Sequence, residues 1–246
     1  MPGLSRKTVV ITGASRGLGR ALVLAFAEGG WKVSACARSA ASLSELAEEL
    51  ERSAVPHLCE GVDVSNESEV RSWIERTQAT LGHPAVLINN ASLLGSRQPL
   101  LSIASQEWTE VLAANLNGTV LVTRLVAEAM LAVGEGSIIN VSSGAAIAPR
   151  VTWGTYAISK AAVEAFSYNL AAELEGTGVR VNVVDPGAMR TAMRAEAYPR
   201  EDPQTLKEPG ATAPLFLWLA GDESRAVTGE RFQADEWRRG QRTGAL

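Results

Sequence analysis

Apolar positions along the chain follow two alternating spacings, which predict strands and helices in turn. Short runs of mostly apolar, partly β-branched residues are typical of strands buried inside a sheet, and they fall at 8–11, 32–37, 57–62, 85–88, 137–141, 180–184 and 230–233. Between these runs, apolar residues recur every three or four positions, which predicts helices at 18–28, 41–52, 66–81, 105–133, 153–175 and 213–220. This alternation predicts an α/β fold with a doubly wound parallel sheet of about seven strands and helices on both faces.

No linker, internal repeat or low-complexity segment divides the 246 residues, so we expect a single domain spanning 1–246. The periodicity weakens only after residue 188, where a polar stretch contains three prolines between 190 and 210. That composition predicts a mobile loop with short helices. Because it follows the sixth strand directly, we assign a substrate loop to about 188–212.

The composition argues against several classes of function. A net charge of −4 leaves no basic field, which argues against nucleic acid or an anionic membrane as a main partner. We find no apolar run of about 18 residues and no secretory signal pattern, so we expect a cytoplasmic protein without a membrane partner. The two cysteines fall in predicted strands and the two histidines are isolated, so buried thiols and no metal site are predicted.

A glycine-rich turn follows the first strand and precedes the first helix. Residues 12–19 read Thr-Gly-Ala-Ser-Arg-Gly-Leu-Gly, with the spacing G-x-x-x-G-x-G. Glycines allow a close backbone approach to phosphates, and a helix N-terminus offers free N–H groups and a positive dipole. The arrangement predicts a pyrophosphate site, although a glycine cluster alone is weak support.

A second candidate site lies between the fifth strand and the next helix. Tyr156 and Lys160 are four residues apart, which places both side chains on one helical face. An ammonium ion beside a tyrosine favours the phenolate, so we expect a lowered pKa for Tyr156 and a role in proton transfer. Ser143, just after the strand, could hydrogen-bond the same substrate oxygen. Taken singly, such residues are more often a solvated pair and a cap.

Together these motifs resemble the short-chain dehydrogenase/reductase family, over residues 8–191. The resemblance rests on seven motifs in the family's order: Thr12-Gly13-x3-Gly17-x-Gly19, Asp63-Val64, Asn89-Asn90-Ala91, Asn115, Ser143, Tyr156-x3-Lys160 and Pro186-Gly187. It implies a Rossmann-type fold and an oxidoreductase that interconverts a carbonyl compound and its alcohol.

The resemblance also implies roles for individual residues. The catalytic residues would be Asn115, Ser143, Tyr156 and Lys160. Tyr156 would be the general acid in reduction and Lys160 would hold the nicotinamide ribose, while Asn115 would hold a relay water. Ser142 competes with Ser143 for the substrate oxygen, and the thirteen-residue interval to Tyr156 favours Ser143. The cofactor-binding residues would be Gly13, Ser15, Arg16, Gly17, Leu18, Gly19, Arg38, Asp63, Val64, Asn89, Ala91, Tyr156, Lys160, Pro186, Gly187 and Thr191.

The end of the second strand predicts the cofactor. An NAD-specific site of this fold carries an acidic residue ~20 residues past the glycines, but residues 35–38 read Ala-Cys-Ala-Arg. Arg38 and Arg16 would suit the 2′-phosphate of NADP(H), which arginine can bind through paired hydrogen bonds. Both could instead be solvated. We predict NADP(H).

Two departures from the family pattern and one alternative function remain open. Ser92 replaces the usual glycine after Asn-Asn-Ala, at an expected backbone cost. The C-terminal segment lacks the Gly-Gly that usually follows Asp235, which bears on the predicted homodimer or homotetramer. A small apolar carbonyl compound is the expected substrate, from the predicted pocket residues Leu93, Leu94, Ala145, Ile147, Trp153, Met189 and Met193. The alternative is a catalytically silent NADP-binding regulatory or scaffold protein.

Overall fold

The computed structural model describes residues 7–243. Seven strands form one sheet: β1 (Thr8–Thr12), β2 (Lys32–Ala37), β3 (His57–Gly61), β4 (Pro84–Asn89), β5 (Gly136–Val141), β6 (Val179–Asp185) and β7 (Arg231–Gln233). The α-helices are α1 (Gly17–Glu28), α2 (Ser44–Arg52), α3 (Glu67–Leu81), α4 (Ser105–Leu112), α5 (Gly118–Val133), α6 (Gly154–Glu173), α7 (Ala192–Ala197), α8 (Ala213–Ala220) and α9 (Ala234–Thr243). The predicted strand positions agree with these bounds within about two residues.

The sheet is parallel throughout and has the strand order β3-β2-β1-β4-β5-β6-β7. Successive residues of a strand face opposite sides, so Val9 and Ile11 enter one core while Val10 enters the other. Helices α1, α2 and α8 cover the first side, and α3, α5 and α6 cover the second. The predicted doubly wound fold is therefore confirmed.

The strand order reverses between β1 and β4, because β1 pairs with β2 on one side and with β4 on the other. Connections from neighbouring strands leave in opposite directions at such a point, and a crevice opens at the carboxyl ends of the strands. The glycine turn, the Asn-Asn-Ala segment and the loop after β5 all lie at these ends. The topology thus brings the separate motifs to one edge of the sheet.

The long helix predicted at 105–133 is interrupted by a π-helical turn. Residues Ala113–Asn117 form this turn between α4 and α5, and it contains Asn115. A π-turn inserts an extra residue into the helical ladder and is often found at functional sites. By length and composition, the stretch Ser105–Val133 could cross a membrane, but half of its most apolar window is buried within the fold, as in core helices.

The segment 188–212 contains α7 and two 3₁₀ turns, Pro203–Thr205 and Pro209–Thr212, in agreement with the short helices predicted there. Three ion pairs fix it in place. Arg194 binds Glu201 through two hydrogen bonds of 2.6 Å, Arg190 binds Glu208 at 2.7 Å, and Lys207 binds Asp235 at the start of α9. These contacts connect the segment to itself and to the C-terminal helix.

Candidate active site

A cavity of about 460 Å³ opens at the carboxyl ends of β1, β2, β4, β5 and β6. Most of the predicted site residues line it: Gly13, Ser15, Arg16, Gly17, Leu18, Arg38, Asp63, Val64, Ala91, Ser143, Tyr156, Lys160, Pro186, Gly187 and Thr191. Gly19, Asn89 and Asn115 do not line it. The fold therefore gathers residues separated by up to 178 positions into one crevice, and it assigns the three exceptions to other contacts.

The glycine turn is shaped by close backbone contacts. Gly13 has φ = 68°, and a Cβ on it would lie 2.7 Å from the Ala91 Cα, so no larger residue fits without a shift. A Cβ on Gly19 would collide with the Gly13 carbonyl oxygen. Gly19 therefore allows α1 to pack against the turn and does not itself face the cavity. Its predicted contact with the cofactor stays a prediction.

The two successive asparagines at the end of β4 make different contacts. Asn89 is 4% exposed, and its Nδ2 donates to Thr123 Oγ1 at 2.9 Å and to Asn140 Oδ1 at 2.8 Å, inside the second core. Asn90 lines the cavity instead, and its Nδ2 donates to the carbonyl oxygens of Thr12 and Gly13. Asn90 is the residue that joins the glycine turn to β4, and the predicted cofactor contact of Asn89 stays a prediction.

Tyr156, Ser143 and Lys160 meet on the cavity wall. Ser143 follows β5 in extended conformation, and its Oγ accepts from the Ala145 N–H at 3.2 Å. Lys160 is 3% exposed and donates to the Val141 carbonyl at 2.9 Å, with its Nζ 5.8 Å from the Tyr156 ring centroid. The competing Ser142 donates to Glu164 Oε1 at 2.5 Å. Its hydroxyl is thus occupied within the protein.

Burial shifts the pKa values of Tyr156 and Lys160. The pKa of Tyr156 is raised to about 12 because the phenol is buried; the Ser143 hydrogen bond lowers it and the Asp185 charge raises it further. Burial also lowers the pKa of Lys160 to about 8. The lowered pKa expected for Tyr156 from the sequence is therefore wrong for this structure, since loss of solvation outweighs the neighbouring groups. At pH 7 the phenol carries its proton.

Asn115 supports the site from behind. Its side chain is fully buried, accepts from the Leu93 N–H at 2.7 Å, and donates to the Leu93 carbonyl and to Ser159 Oγ, both at 2.9 Å. Ser159 in turn donates to the Tyr156 carbonyl at 2.7 Å. The π-turn thus places Asn115 where it joins the Leu93 loop to the helix that carries Tyr156 and Lys160. The predicted relay water stays a prediction.

A buried charge network that the sequence did not predict lies beneath Ser143. Arg231 of β7 donates to Glu164 Oε1 at 3.0 Å, to Asp185 Oδ2 at 3.2 Å and to the Ser143 carbonyl at 3.5 Å. The side chains of Arg231, Glu164 and Asp185 are 16%, 7% and 8% exposed. Two carboxylates sharing one guanidinium leave a net negative charge near the phenol. That charge contributes to the raised pKa of Tyr156 through Asp185.

Arg16 and Arg38 lie at the opposite end of the cavity, and both are exposed. Neither forms an ion pair within residues 7–243. Asp63 lies near them, and hydrogen bonds from the Ser65 hydroxyl and N–H lower the pKa of its carboxyl, with a smaller contribution from Arg38. This end of the cavity thus presents two guanidiniums that are free to bind an anion.

Comparison with known proteins agrees with this geometry. A model of the short chain dehydrogenase family matches residues 7–202. The chain belongs to this family. Among the short chain dehydrogenases, the oxidoreductase YciK of Escherichia coli K12 is 35% identical over 240 residues, covering 96% of this chain and 94% of that protein. The 3-oxoacyl-[acyl-carrier-protein] reductase FabG of Thermotoga maritima is 34% identical over 240 residues, covering 92% and 95%.

Solved structures agree with the assignment to the short chain dehydrogenases. A short chain dehydrogenase from Escherichia coli CFT073, complexed with NADPH, superposes with a TM-score of 0.86 at 34% identity, covering 93% of this chain and 96% of that one. The family model ends at residue 202, whereas Arg231 of this short chain dehydrogenase lies beyond it. Arg231 donates to the Ser143 carbonyl, so the loop at 142–153 between β5 and α6, here called the serine loop, is supported partly from outside the matched region.

Ser92, which replaces the usual family glycine, causes no backbone strain. The non-glycine residues with positive φ, within the described chain, are Ala54 and Thr152. Ser92 lines the cavity with a buried hydroxyl that has no hydrogen-bond partner among the described residues. The expected backbone cost of Ser92 is thus wrong. The substitution adds a polar atom to the wall instead.

Proposed function

We propose that the protein is an NADP(H)-dependent oxidoreductase that interconverts a carbonyl compound and its alcohol, with Tyr156 as general acid and base. One observation carries the proposal: Ser143, Tyr156 and Lys160 line the same cavity as the glycine turn and the two guanidiniums of Arg16 and Arg38. A cofactor extended between these two ends would have its nicotinamide beside the phenol.

The residues present fit this cofactor. Gly13 and Gly17 have positive φ and leave two positions of the turn before α1 without side chains, where free N–H groups favour a pyrophosphate. Arg16 and Arg38 would hold the 2′-phosphate, and Lys160 would hold the nicotinamide ribose. The NADPH-bound structure of the related dehydrogenase supports NADP(H) over NAD. The bound nucleotide would supply or accept the hydride.

The side chains would divide the proton chemistry between them. Ser143 would donate a hydrogen bond to the carbonyl oxygen and orient it. Tyr156 would transfer its phenolic proton to that oxygen in reduction and recover one from the alcohol in oxidation. Its pKa of about 12 keeps the phenol protonated at pH 7, which is the form that reduction needs. The cationic Lys160 would stabilise the phenolate after transfer.

The Tyr156→Phe variant tests this assignment, because it removes the phenolic oxygen and keeps the ring that packs 5.5 Å from Trp153. We expect turnover of an aldehyde and ketone panel with NADPH to fall ~100- to 10,000-fold. The dissociation constant for NADPH, measured by fluorescence titration, should change by less than about threefold. Near-normal turnover in the variant would refute Tyr156 as the acid.

The alternative, a catalytically silent NADP-binding protein, makes a different prediction in the same experiment. It would bind NADPH without consuming it on any member of the panel. The intact grouping of Ser143, Tyr156 and Lys160 favours the enzyme. A protein under no demand for catalysis has no reason to bury a lysine and a tyrosine together at a cavity wall.

Three further features are proposed on the same basis. The segment 188–212 would be the substrate loop, since Met189, Met193 and Arg194 line the cavity. The exposed apolar side chains of Ile158 and Tyr168 on α6, 41% and 38% exposed, support at least a dimer through this helix and α5. A cytoplasmic location stays a prediction.

A further inference from the structure

The substrate end of the cavity is less apolar than the sequence indicated. Leu93, Leu94, Trp153, Met189 and Met193 line it as predicted, whereas Ala145 and Ile147 do not. Arg150, at the end of the loop after β5, lines it as well. Its Nη2 lies 3.6 Å from the position that a Cβ on Gly144 would occupy. A guanidinium therefore lies beside the serine loop.

Arg150 differs from Arg190 and Arg194 in having no carboxylate partner within residues 7–243. Arg194 is paired with Glu201 and Arg190 with Glu208. Within residues 7–243, no carboxylate forms an ion pair with Arg150. Asp185 lies close by, since its Oδ2 is 3.4 Å from the same Gly144 position. Its ion pair is with Arg231, at 3.2 Å, and not with Arg150.

Two aromatic rings hold this part of the wall. Arg150 Nη1 donates to the Tyr198 hydroxyl at 3.1 Å, and its guanidinium carbon lies 5.7 Å from the Trp153 ring centroid. Arg97 lies over the same two rings, at 4.7 Å from Trp153 and 5.5 Å from Tyr198. It also has no carboxylate partner in the described chain. Cations over aromatic faces are attracted to the rings, which fixes their positions.

Arg97 is used within the protein, whereas Arg150 has donors to spare. Arg97 donates to Thr152 Oγ1 at 3.1 Å and to the Ala197 carbonyl at 2.6 Å, which joins the serine loop to α7. The Arg150 side chain has one hydrogen bond, through Nη1, among those between described residues. Guanidinium offers five N–H donors in a fork that matches an oxyanion. Arg97 thus adds positive field and rigidity, while Arg150 can contact a ligand.

We propose that Arg150 binds an anionic group of the substrate, so that the substrate class is a short carbonyl compound bearing a carboxylate, sulfonate or phosphate. This inference rests on the proposed function and replaces the expected apolar substrate. Nη2 of Arg150 lies 3.6 Å from the Cβ position on Gly144, and the Cα atoms of Gly144 and Ser143 are about 3.8 Å apart. Nη2 therefore lies within roughly 9 Å of the Ser143 Cα. A molecule of a few carbons can therefore contact Ser143 and Arg150 at once.

The test compares two aldehydes that differ in charge, 4-oxobutanoate and its methyl ester, with NADPH as reductant. For the unmodified protein we expect kcat/KM to be 10- to 100-fold higher for 4-oxobutanoate. Arg150→Gln should abolish that preference while leaving kcat/KM for the ester within about threefold. Arg190→Gln is the matched control, since its ion pair with Glu208 lies outside the cavity; it should keep the preference.

Two outcomes would overturn the inference: equal kcat/KM for acid and ester in the unmodified protein, or an equal loss for both in Arg150→Gln. Where the preference for 4-oxobutanoate is found, the same assay with glyceraldehyde 3-phosphate and 3-sulfopropanal distinguishes phosphate and sulfonate from carboxylate. If neither these aldehydes nor any member of the aldehyde and ketone panel is reduced, the proposed function fails instead. In that case, calorimetric titration of the NADPH-loaded protein with succinate decides the inference. Succinate binding that is equal in the unmodified protein and in Arg150→Gln, or absent from both, would refute it.

Discussion

Replacing Lys160 by methionine should stabilise the folded protein at pH 7, although it removes a residue of the proposed active site. Lys160 is 3% exposed, and burial lowers its pKa from 10.5 to about 8. Each pKa unit corresponds to about 1.4 kcal/mol, so keeping the charge in the fold costs about 3 kcal/mol. The variant also loses the hydrogen bond from Lys160 to the Val141 carbonyl, which offsets about 1 kcal/mol of the stability gained by removing the buried charge. The net gain should be about 2 kcal/mol.

The pH dependence identifies the cause. The unfolded lysine stays protonated up to its ordinary pKa, whereas the folded one loses its proton near pH 8. The unmodified protein therefore gains stability as pH rises above 8, while Lys160→Met does not. Between pH 8 and 9.5 the difference between the two proteins should shrink by about 2 kcal/mol. Measurements should stop below pH 10, because the raised pKa of Tyr156 makes the fold less stable above it.

Urea unfolding followed by circular dichroism between pH 6 and 9.5 measures this difference directly. For a domain of this size, 2 kcal/mol corresponds to a rise in melting temperature of about 4–8 °C at pH 7. If Lys160→Met were less stable than the unmodified protein at pH 7, or if the difference were constant with pH, the assignment of a costly buried charge would be refuted. The variant should also be inactive, which would separate stability from function at one position.

The remaining predictions concern the cofactor, the packing of the glycine turn and the assembly. In calorimetry, Arg38→Ala should weaken NADPH binding 10- to 100-fold and NADH binding less than about threefold. The exposed Arg52→Ala is the control. Equal losses of NADPH and NADH affinity in Arg38→Ala would contradict a contact with the 2′-phosphate. Gly19→Ala should lower the free energy of unfolding by about 1–3 kcal/mol through overpacking. Gly210→Ala should not, because a Cβ there would have no described atom within 4 Å beyond its chain neighbours. Equal melting temperatures of the two variants would refute the collision at Gly19. Light scattering at micromolar concentration should give at least a dimer mass, and a monomer would count against pairing through α5 and α6.

The sequence predicted the architecture well, because β1, β2, β4, β5 and β6 are mostly apolar runs that are buried almost throughout. Such runs can be recognised from the local sequence alone. It was less informative where the answer depended on which side of the backbone a residue faces. Asn89 is the last residue of β4 and points into the core, while Asn90 lies past the strand and reaches the glycine turn. Adjacent identical residues cannot be distinguished by a motif alone.

Two other features were outside the reach of sequence patterns. The raised pKa of Tyr156 follows from burial, which a four-residue spacing does not report. The cluster of Arg97, Arg150, Trp153 and Tyr198 joins residues up to 101 positions apart through the contact of the serine loop with α7. Only the folded chain shows that two of its cations lack carboxylate partners.

The position of Arg231 has a consequence for how the site is completed during synthesis. Among the described strands, β7 is the last along the chain and lies at one edge of the sheet, and its Arg231 joins Glu164, Asp185 and the Ser143 carbonyl. A ribosome-bound chain can thus assemble β1 to β6 and contain every residue of the proposed catalytic group before that guanidinium has been added. Until then two carboxylates lie under the serine loop without their shared cation. The proposed site gains its full support only when β7 has been made and has joined the sheet.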